Sequence, residues 1–155
     1  MTIISANISH FEDVYWLICE LEGKILPKEV FFRMYAKNLD NPDIYYILAH
    51  DEEKVIGFGS LHIQNLIHHS GKVGEIQELV TAKEHRLKGA GLTLLNRLTE
   101  IAKEQSCVLL EVCCNRNREQ SHVFYERCGM IKSHYKFTRE IEILEAAEIS
   151  KQMGI

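Results

Sequence analysis

No stretch of this chain holds 18 consecutive apolar residues, and no basic segment leads an apolar core at its start. Neither a membrane span nor a secretory signal is expected, and the protein is read as cytoplasmic. Basic residues do not dominate either. Eighteen Lys and Arg stand against 22 Asp and Glu, a formal net charge of −4, so no nucleic-acid partner is expected. The five cysteines, Cys19, Cys107, Cys113, Cys114 and Cys128, are odd in number and include no C-x-x-C. They are read as reduced core or near-core residues, with no disulfide frame and no metal site. Internal repeats, low-complexity tracts and linkers are missing too. What remains is a 155-residue chain, 46% apolar and 26% charged, which suits one soluble globular domain.

The apolar periodicity gives the order of elements. Thr2 to Ala6 is a short strand-like run. Phe11, Val14, Tyr15, Ile18 and Leu21 recur at helical spacing within Ile8 to Leu21, with Ser9 as its expected cap and Glu12 three residues on. Pro27 suits a first helical turn, a second helix runs from Glu29 to Leu39, and Asn41-Pro42 stops it. Strands follow at Ile44 to Ala49, Val55 to Leu66 and Val73 to Thr81, with Gly57 and Gly59 marking a bulge or a close contact. A central helix extends to about Gln105, a buried strand covers Val108 to Cys113, and Arg118 to Arg127 is helical, with Gly129 just past its end. Met130 to Ile143 reads as one or two last strands, and Glu142 to Ile155 as a short helix. The expected fold class is α/β (α+β), with a mixed, mainly antiparallel sheet of six to seven strands flanked by about four helices. Residues 1 to 141 form the single domain, and 142 to 155 are an extension of unknown role.

Between the third long strand and the central helix lies Arg86-Leu87-Lys88-Gly89-Ala90-Gly91, the pattern R-x-x-G-x-G. Leu92, Leu94, Leu95, Leu98 and Ile101 then form one apolar stripe. A glycine-rich turn feeding a helix leaves backbone N–H groups without intrahelical partners, and the helix dipole favours an anion there. No Lys-Ser/Thr follows Gly91, which excludes a Walker loop, and two glycines do not make a dinucleotide fingerprint. A plain strand-to-helix turn remains the alternative.

That loop, the run Phe124-Tyr125-Glu126-Arg127-Cys128-Gly129-Met130 and the element order together resemble the GCN5-related N-acetyltransferase family. Leu61-His62-Ile63-Gln64, His68-His69, Gly74 to Val80 and Ser133 to Thr138 further resemble its bacterial aminoalkylphosphonate N-acetyltransferases. The sequence departs from the pattern at Leu87, which stands where the loop usually has its first glycine, and at Cys113-Cys114.

The resemblance implies an N-acetyltransferase that uses acetyl-CoA, acts on a small-molecule amine and transfers the acetyl group directly in a ternary complex. Homodimers occur among such relatives, so a homodimer is an open assignment. Glu75, eleven residues before Arg86, matches the general base of related enzymes, and Tyr125 matches the residue that protonates the leaving thiolate. The backbone of Leu79, Val80 and Thr81 would bind the pantetheine arm, as would Asn115, for which a turn role is the alternative. The N–H groups of Leu87, Gly89, Ala90, Gly91 and Leu92 would bind the pyrophosphate, with Arg86 and Lys88 adding charge.

Strict alternation puts Glu75, Gln77 and Leu79 on one face, and Ile76, Glu78 and Val80 on the other. A bulge would re-aim Glu78 and make it a candidate base. His62, His68, His69, His134 and Lys136 are the candidate acceptor ligands, with Glu78, because a phosphonate dianion needs cationic donors. The rival readings are an acetyltransferase for a polyamine, an amino acid or a protein N-terminus, and a non-catalytic acyl-CoA-binding module.

Overall fold

The computed structural model of the protein describes residues 1–141, so the helix expected over 142–155 lies outside the described residues. The chain builds one five-stranded sheet in the order β1-β2-β3-β4-β5, with two layers of helix against it. The strands are β1 (Thr2–Ser5), β2 (Ile44–Asp51), β3 (Lys54–Leu66), β4 (Gly71–Thr81) and β5 (Cys107–Val112). The helices are α1 (Phe11–Glu22), α2 (Lys28–Leu39), α3 (Ala90–Glu104) and α4 (Glu119–Arg127). The first four strands pair antiparallel. β5 lies parallel to β4 because α3 carries the chain back across the sheet before it re-enters.

Each face has its own core. On one, Leu94, Leu95, Leu98 and Ile101 of α3 bury against Ile47, Leu61, Ile63 and Ile76. On the other, Val14, Leu17 and Ile18 of α1 and Tyr35 of α2 bury against Leu48, Phe58 and Val80. Three glycines let α3 lie close to the sheet. A Cβ at Gly59 would sit 3.1 Å from Leu98 Cδ1, and one at Gly74 would sit 3.0 Å from Leu61 Cδ1. At Gly57 it would meet the Val80 carbonyl oxygen at 2.9 Å.

Three expectations need correction. Ser9 does not cap α1. Asn7 instead caps a 3-10 turn, Ile8–His10, that feeds the helix, its Oδ1 accepting the Ser9 N–H at 2.9 Å. The sheet holds five strands among the described residues, not six or seven, because 131–141 pairs with no described strand. The cysteines are all free, and Cys113 is exposed rather than part of the core.

Candidate active site

One irregularity in β4 builds the site. Gly59 pairs with Leu79 and Leu61 with Ile76, so Ser60 alone faces the two residues Gln77 and Glu78. This is a β-bulge, and it resets the alternation of side chains. Leu79 therefore joins Ile76 on the α3 side, whereas Glu78 and Val80 face α1 and α2. Gly74 and Ile76 face α3, so Glu75 also faces the α1–α2 side. The split of Glu75 and Glu78 onto opposite faces, expected from strict alternation, is thus corrected. The bulge leaves the Glu78 N–H without a ladder partner. Ser60, fully buried, accepts it on Oγ at 3.0 Å and donates its hydroxyl to the Glu78 carboxylate. A buried donor and the side chain of its own residue are held by one hydroxyl.

Glu78 looks into a cavity of about 340 Å³ between the sheet and α1–α2. Val14, Ile18, Phe31, Tyr35, Tyr46 and Phe58 give it apolar and aromatic walls. Glu78 is the only carboxylate among the described lining residues, and none of them is Lys, Arg or His. Tyr46 hydroxyl accepts from Asn38 at 2.7 Å, and burial, reinforced by Glu78, raises its pKa.

Beside the cavity the sheet opens. The β4–β5 ladder ends at Ile76 and Val112, while β4 runs on to Thr81. Over 77–81, β4 has no β5 partner, and its outward backbone groups face a gap. The start of α3 stands at that gap: the position of a Cβ on Gly91 is 3.7 Å from Thr81 Oγ1 and 3.8 Å from Phe124 of α4. No side chain caps α3, its N-cap Gly89 lies at φ 87°, and its first turn has no acidic residue. Thr93 is the first residue of the turn to find a partner, its N–H donating to Gly89 O at 3.0 Å, which leaves the N–H groups of Ala90, Gly91 and Leu92 free for an anion. A phosphate-bearing donor suits this uncapped, unacidic helix start. Arg86 is tied down, donating from Nη2 to Glu20 at 3.3 Å and from Nε to Thr81 O at 3.3 Å. Leu87 is fully exposed at φ 62°, and Lys88 is exposed.

Tyr125 follows Phe124 on α4, among Cys114, Arg118 and Cys128. Burial, helped by the two cysteines and opposed by Arg118, pushes its phenol up to about 12. Asn115 makes a turn, its Oδ1 accepting the Asn117 N–H at 2.9 Å and its carbonyl lying 2.9 Å from His122 Nε2. His62 pairs with Glu75 in the ladder and lies 6.4 Å from the Tyr46 ring, close to the cavity. His68 and His69 lie away from Glu78. They form an exposed 3-10 turn, Ile67–His69, ahead of β4, and the seven steps from Gly71 to Glu78 span roughly 23 Å. Among the described residues no group of three or more metal-ligating side chains exists. His134 and Lys136 lie on the exposed segment after α4, with Lys136 near enough to Cys113 to oppose the rise that burial and Glu75 impose on that thiol.

The model of the acetyltransferase (GNAT) family matches residues 11–130, most of the chain and all of the elements just described except β1. The chain belongs to the GNAT family. As a GNAT acetyltransferase it transfers an acetyl group, and this family generally uses acetyl-CoA as donor. It is 38% identical over 136 residues to the aminoalkylphosphonate N-acetyltransferase of Salmonella typhimurium, with 88% of each chain covered. It is 33% identical over 107 residues to the glucosamine 6-phosphate N-acetyltransferase of Candida albicans, covering 67% of this chain and 70% of that one. Among solved structures, a transcriptional regulator from Bacillus halodurans C-125 superposes with a TM-score of 0.83 at 20% identity, over 90% of this chain and 99% of that one. This last likeness concerns the fold alone. No described helix is long and apolar enough to cross a membrane.

Reading the sequence as a GNAT chain missed Ser60 and the aromatic wall formed by Tyr35 and Tyr46. Ser60 sits in a glycine-rich, apolar strand where one hydroxyl carries no signal, and its importance appears only once the bulge opposite is known.

Proposed function

We propose that the protein transfers acetyl from acetyl-CoA to the primary amine of a small molecule, with an aminoalkylphosphonate as the leading acceptor. The observation that carries the reaction is Glu78, a lone carboxylate aimed into an apolar cavity next to the opened β4 edge. The acceptor class rests on the name of the Salmonella relative.

Bound along the gap, acetyl-CoA supplies an activated thioester. The free N–H groups at the start of α3 hold its pyrophosphate, Lys88 adds charge from the loop, and the backbone of Leu79, Val80 and Thr81 holds the pantetheine arm. An alkylamine has a pKa of about 10.4, as lysine does, so the acceptor enters as an ammonium and must lose a proton. Glu78 takes it, directly or through one water, and Ser60 fixes the carboxylate that does so. The strand backbone near Leu79 polarises the thioester carbonyl. Tyr125 is protonated at neutral pH, as any phenol is, and burial lifts it further, to about 12. Its part is to donate a hydrogen bond to the departing sulfur. Full transfer to a thiolate whose acid has a pKa of about 8.5 is uphill. Cys113 stays a thiol, since burial and then Glu75 raise its pKa, and this favours direct transfer over an acyl-enzyme.

The test is CoA-thiol release with 2-aminoethylphosphonate, 1-aminoethylphosphonate, glucosamine 6-phosphate, spermidine and mixed amino acids. Turnover confined to the phosphonates supports the acceptor class; turnover with spermidine or the sugar phosphate removes it while leaving the acetyl transfer. Glu78→Gln lowers kcat by about 100-fold at saturating acceptor, and Glu75→Gln has a much smaller effect. The reverse order moves the base to Glu75.

A further inference from the structure

The cavity beside Glu78 carries charge of one sign. Glu78 is its lone carboxylate, and no described lining residue is Lys, Arg or His. Lys28, which follows the lining residue Pro27, is already engaged. Its Nζ lies 2.8 Å from Glu12 and 5.2 Å from the centre of the Tyr15 ring. A dianion drawn into this space would lose its water, meet a carboxylate and find no charge of opposite sign. An aminophosphonate therefore offers its ammonium to Glu78 with its phosphonate outside the cavity, and the apolar space stays unfilled.

That space suits hydrocarbon. The Tyr35 and Tyr46 rings stack 5.5 Å apart at 13°, and Phe58 stands edge-on to Tyr46 at 5.2 Å. The polar tips of the two tyrosines already have partners. Tyr35 donates its hydroxyl to the Asn7 carbonyl at 2.8 Å, and the Tyr46 hydroxyl accepts from Asn38 at 2.7 Å. The wall thus presents ring faces and edges, which favour an ammonium as well as an apolar body. Glu78, held by Ser60, fixes where the amine lies. A volume of about 340 Å³ is at the small end of cavities that enclose whole ligands. It has room for one aromatic ring and a short arm.

We propose that this transferase has a second class of acceptor: primary amines carried on an apolar body, phenylalkylamines and longer n-alkylamines, whose hydrocarbon fills the aromatic cavity while the amine meets Glu78. The inference rests on the acetyl transfer proposed above and on Glu78 as its base. The chemistry is the same for both classes. One ammonium proton goes to Glu78 and on to solvent, the N–C bond forms as the C–S bond breaks, and the second proton ends on the sulfur of CoA. The classes differ in where the rest of the acceptor lies, outside the cavity for the phosphonate and inside it for the hydrocarbon.

The test follows CoA-thiol release with the series from propylamine to hexylamine, with 2-phenylethylamine and with 2-aminoethylphosphonate. Each methylene taken out of water raises kcat/KM by about threefold to fourfold, and 2-phenylethylamine exceeds propylamine by about tenfold or more. A flat or falling series, with the phosphonate turned over, overturns this inference and leaves the transfer reading standing. Release with no acceptor at all overturns the transfer reading. Calorimetric titration with 2-phenylethylamine in the presence of CoA needs no turnover and separates the two failures. Saturable binding supports the site, and its absence overturns it. Met34 lines the cavity and is 52% exposed, so a change there does not challenge the core. Met34→Lys sets a like charge against the ammonium and weakens binding of 2-phenylethylamine by about tenfold or more, whereas Met34→Leu retains it. Equal affinity in the lysine variant puts the amine elsewhere and overturns the inference. If that variant does not fold, the alkylamine series decides on the wild-type protein.

Discussion

Leu87 shows what a single residue costs at the donor loop. Its φ of 62° is the left-handed region, and its side chain is fully exposed. A β-carbon there costs about 1–2 kcal/mol, with no packing in return. Leu87→Gly should raise stability by about 0.5–1 kcal/mol after the extra freedom of glycine in the unfolded chain is counted. Urea unfolding reads this, and a lower midpoint would mean that Leu87 makes a contact in solution. The sequence already set Leu87 apart, as the residue standing where relatives have glycine. The choice between Glu75 and Glu78 was not legible in the same way. It turns on one extra residue in β4 opposite Ser60, and nothing in Gln77-Glu78 announces a bulge.

At the scale of elements, α3 against β3 and β4 holds the site in register. Gly57 was legible as a bulge or close contact, and it is both: the β2–β3 register shifts beside it, where Ala49 pairs with Gly57 and His50 with Val55, and a second bulge lies in β4. The hypothetical Cβ at Gly57 meets a backbone oxygen, Val80 O at 2.9 Å, along with Leu94 Cδ1 at 3.0 Å. Backbone cannot rotate away, so Gly57→Ala should destabilise by about 1–3 kcal/mol. The thermal midpoint should fall by about 2–4 °C per kcal/mol; an unchanged midpoint would show that β4 and α3 both shift to admit the methyl group. The helices and long strands were legible because their periods of 3.6 and 2 repeat over enough residues. The cap of α1 was not, because Asn7 and a 3-10 turn compete locally with Ser9. The last strands expected after α4 were misjudged, because alternation alone supplies no partner and 131–141 joins no described strand.

For the whole molecule, buried phenols set the alkaline limit. Tyr35 and Tyr125 both lie at about 12, each raised chiefly by burial, against 10.0 when free. Between pH 10 and 12 the unfolded chain has released these protons and the folded one keeps them, so stability falls as pH rises through that window. Below pH 9 the two phenols contribute no slope. Denaturant titrations at pH 9 and 11 check the sign, and greater stability at pH 11 would contradict it. The acceptor was the least legible property of the molecule. The cavity proposed for it has a wall assembled from α1, α2 and three strands, residues with no common spacing in the chain.

The ladder between β4 and β5 stops halfway, at Ile76 and Val112. The free protein therefore carries in mid-sheet the sort of open margin that folds usually keep at a guarded border. On the proposed function a donor lying in that gap would pair with the free β4 backbone as a surrogate strand, since its arm is half peptide-like. Occupancy then becomes a component of folding: at a hundredfold excess over its dissociation constant a ligand adds about 2.7 kcal/mol. A cell rich in acetyl-CoA would hold more of this protein intact than a starved one, linking the enzyme's survival to the supply of the group it spends.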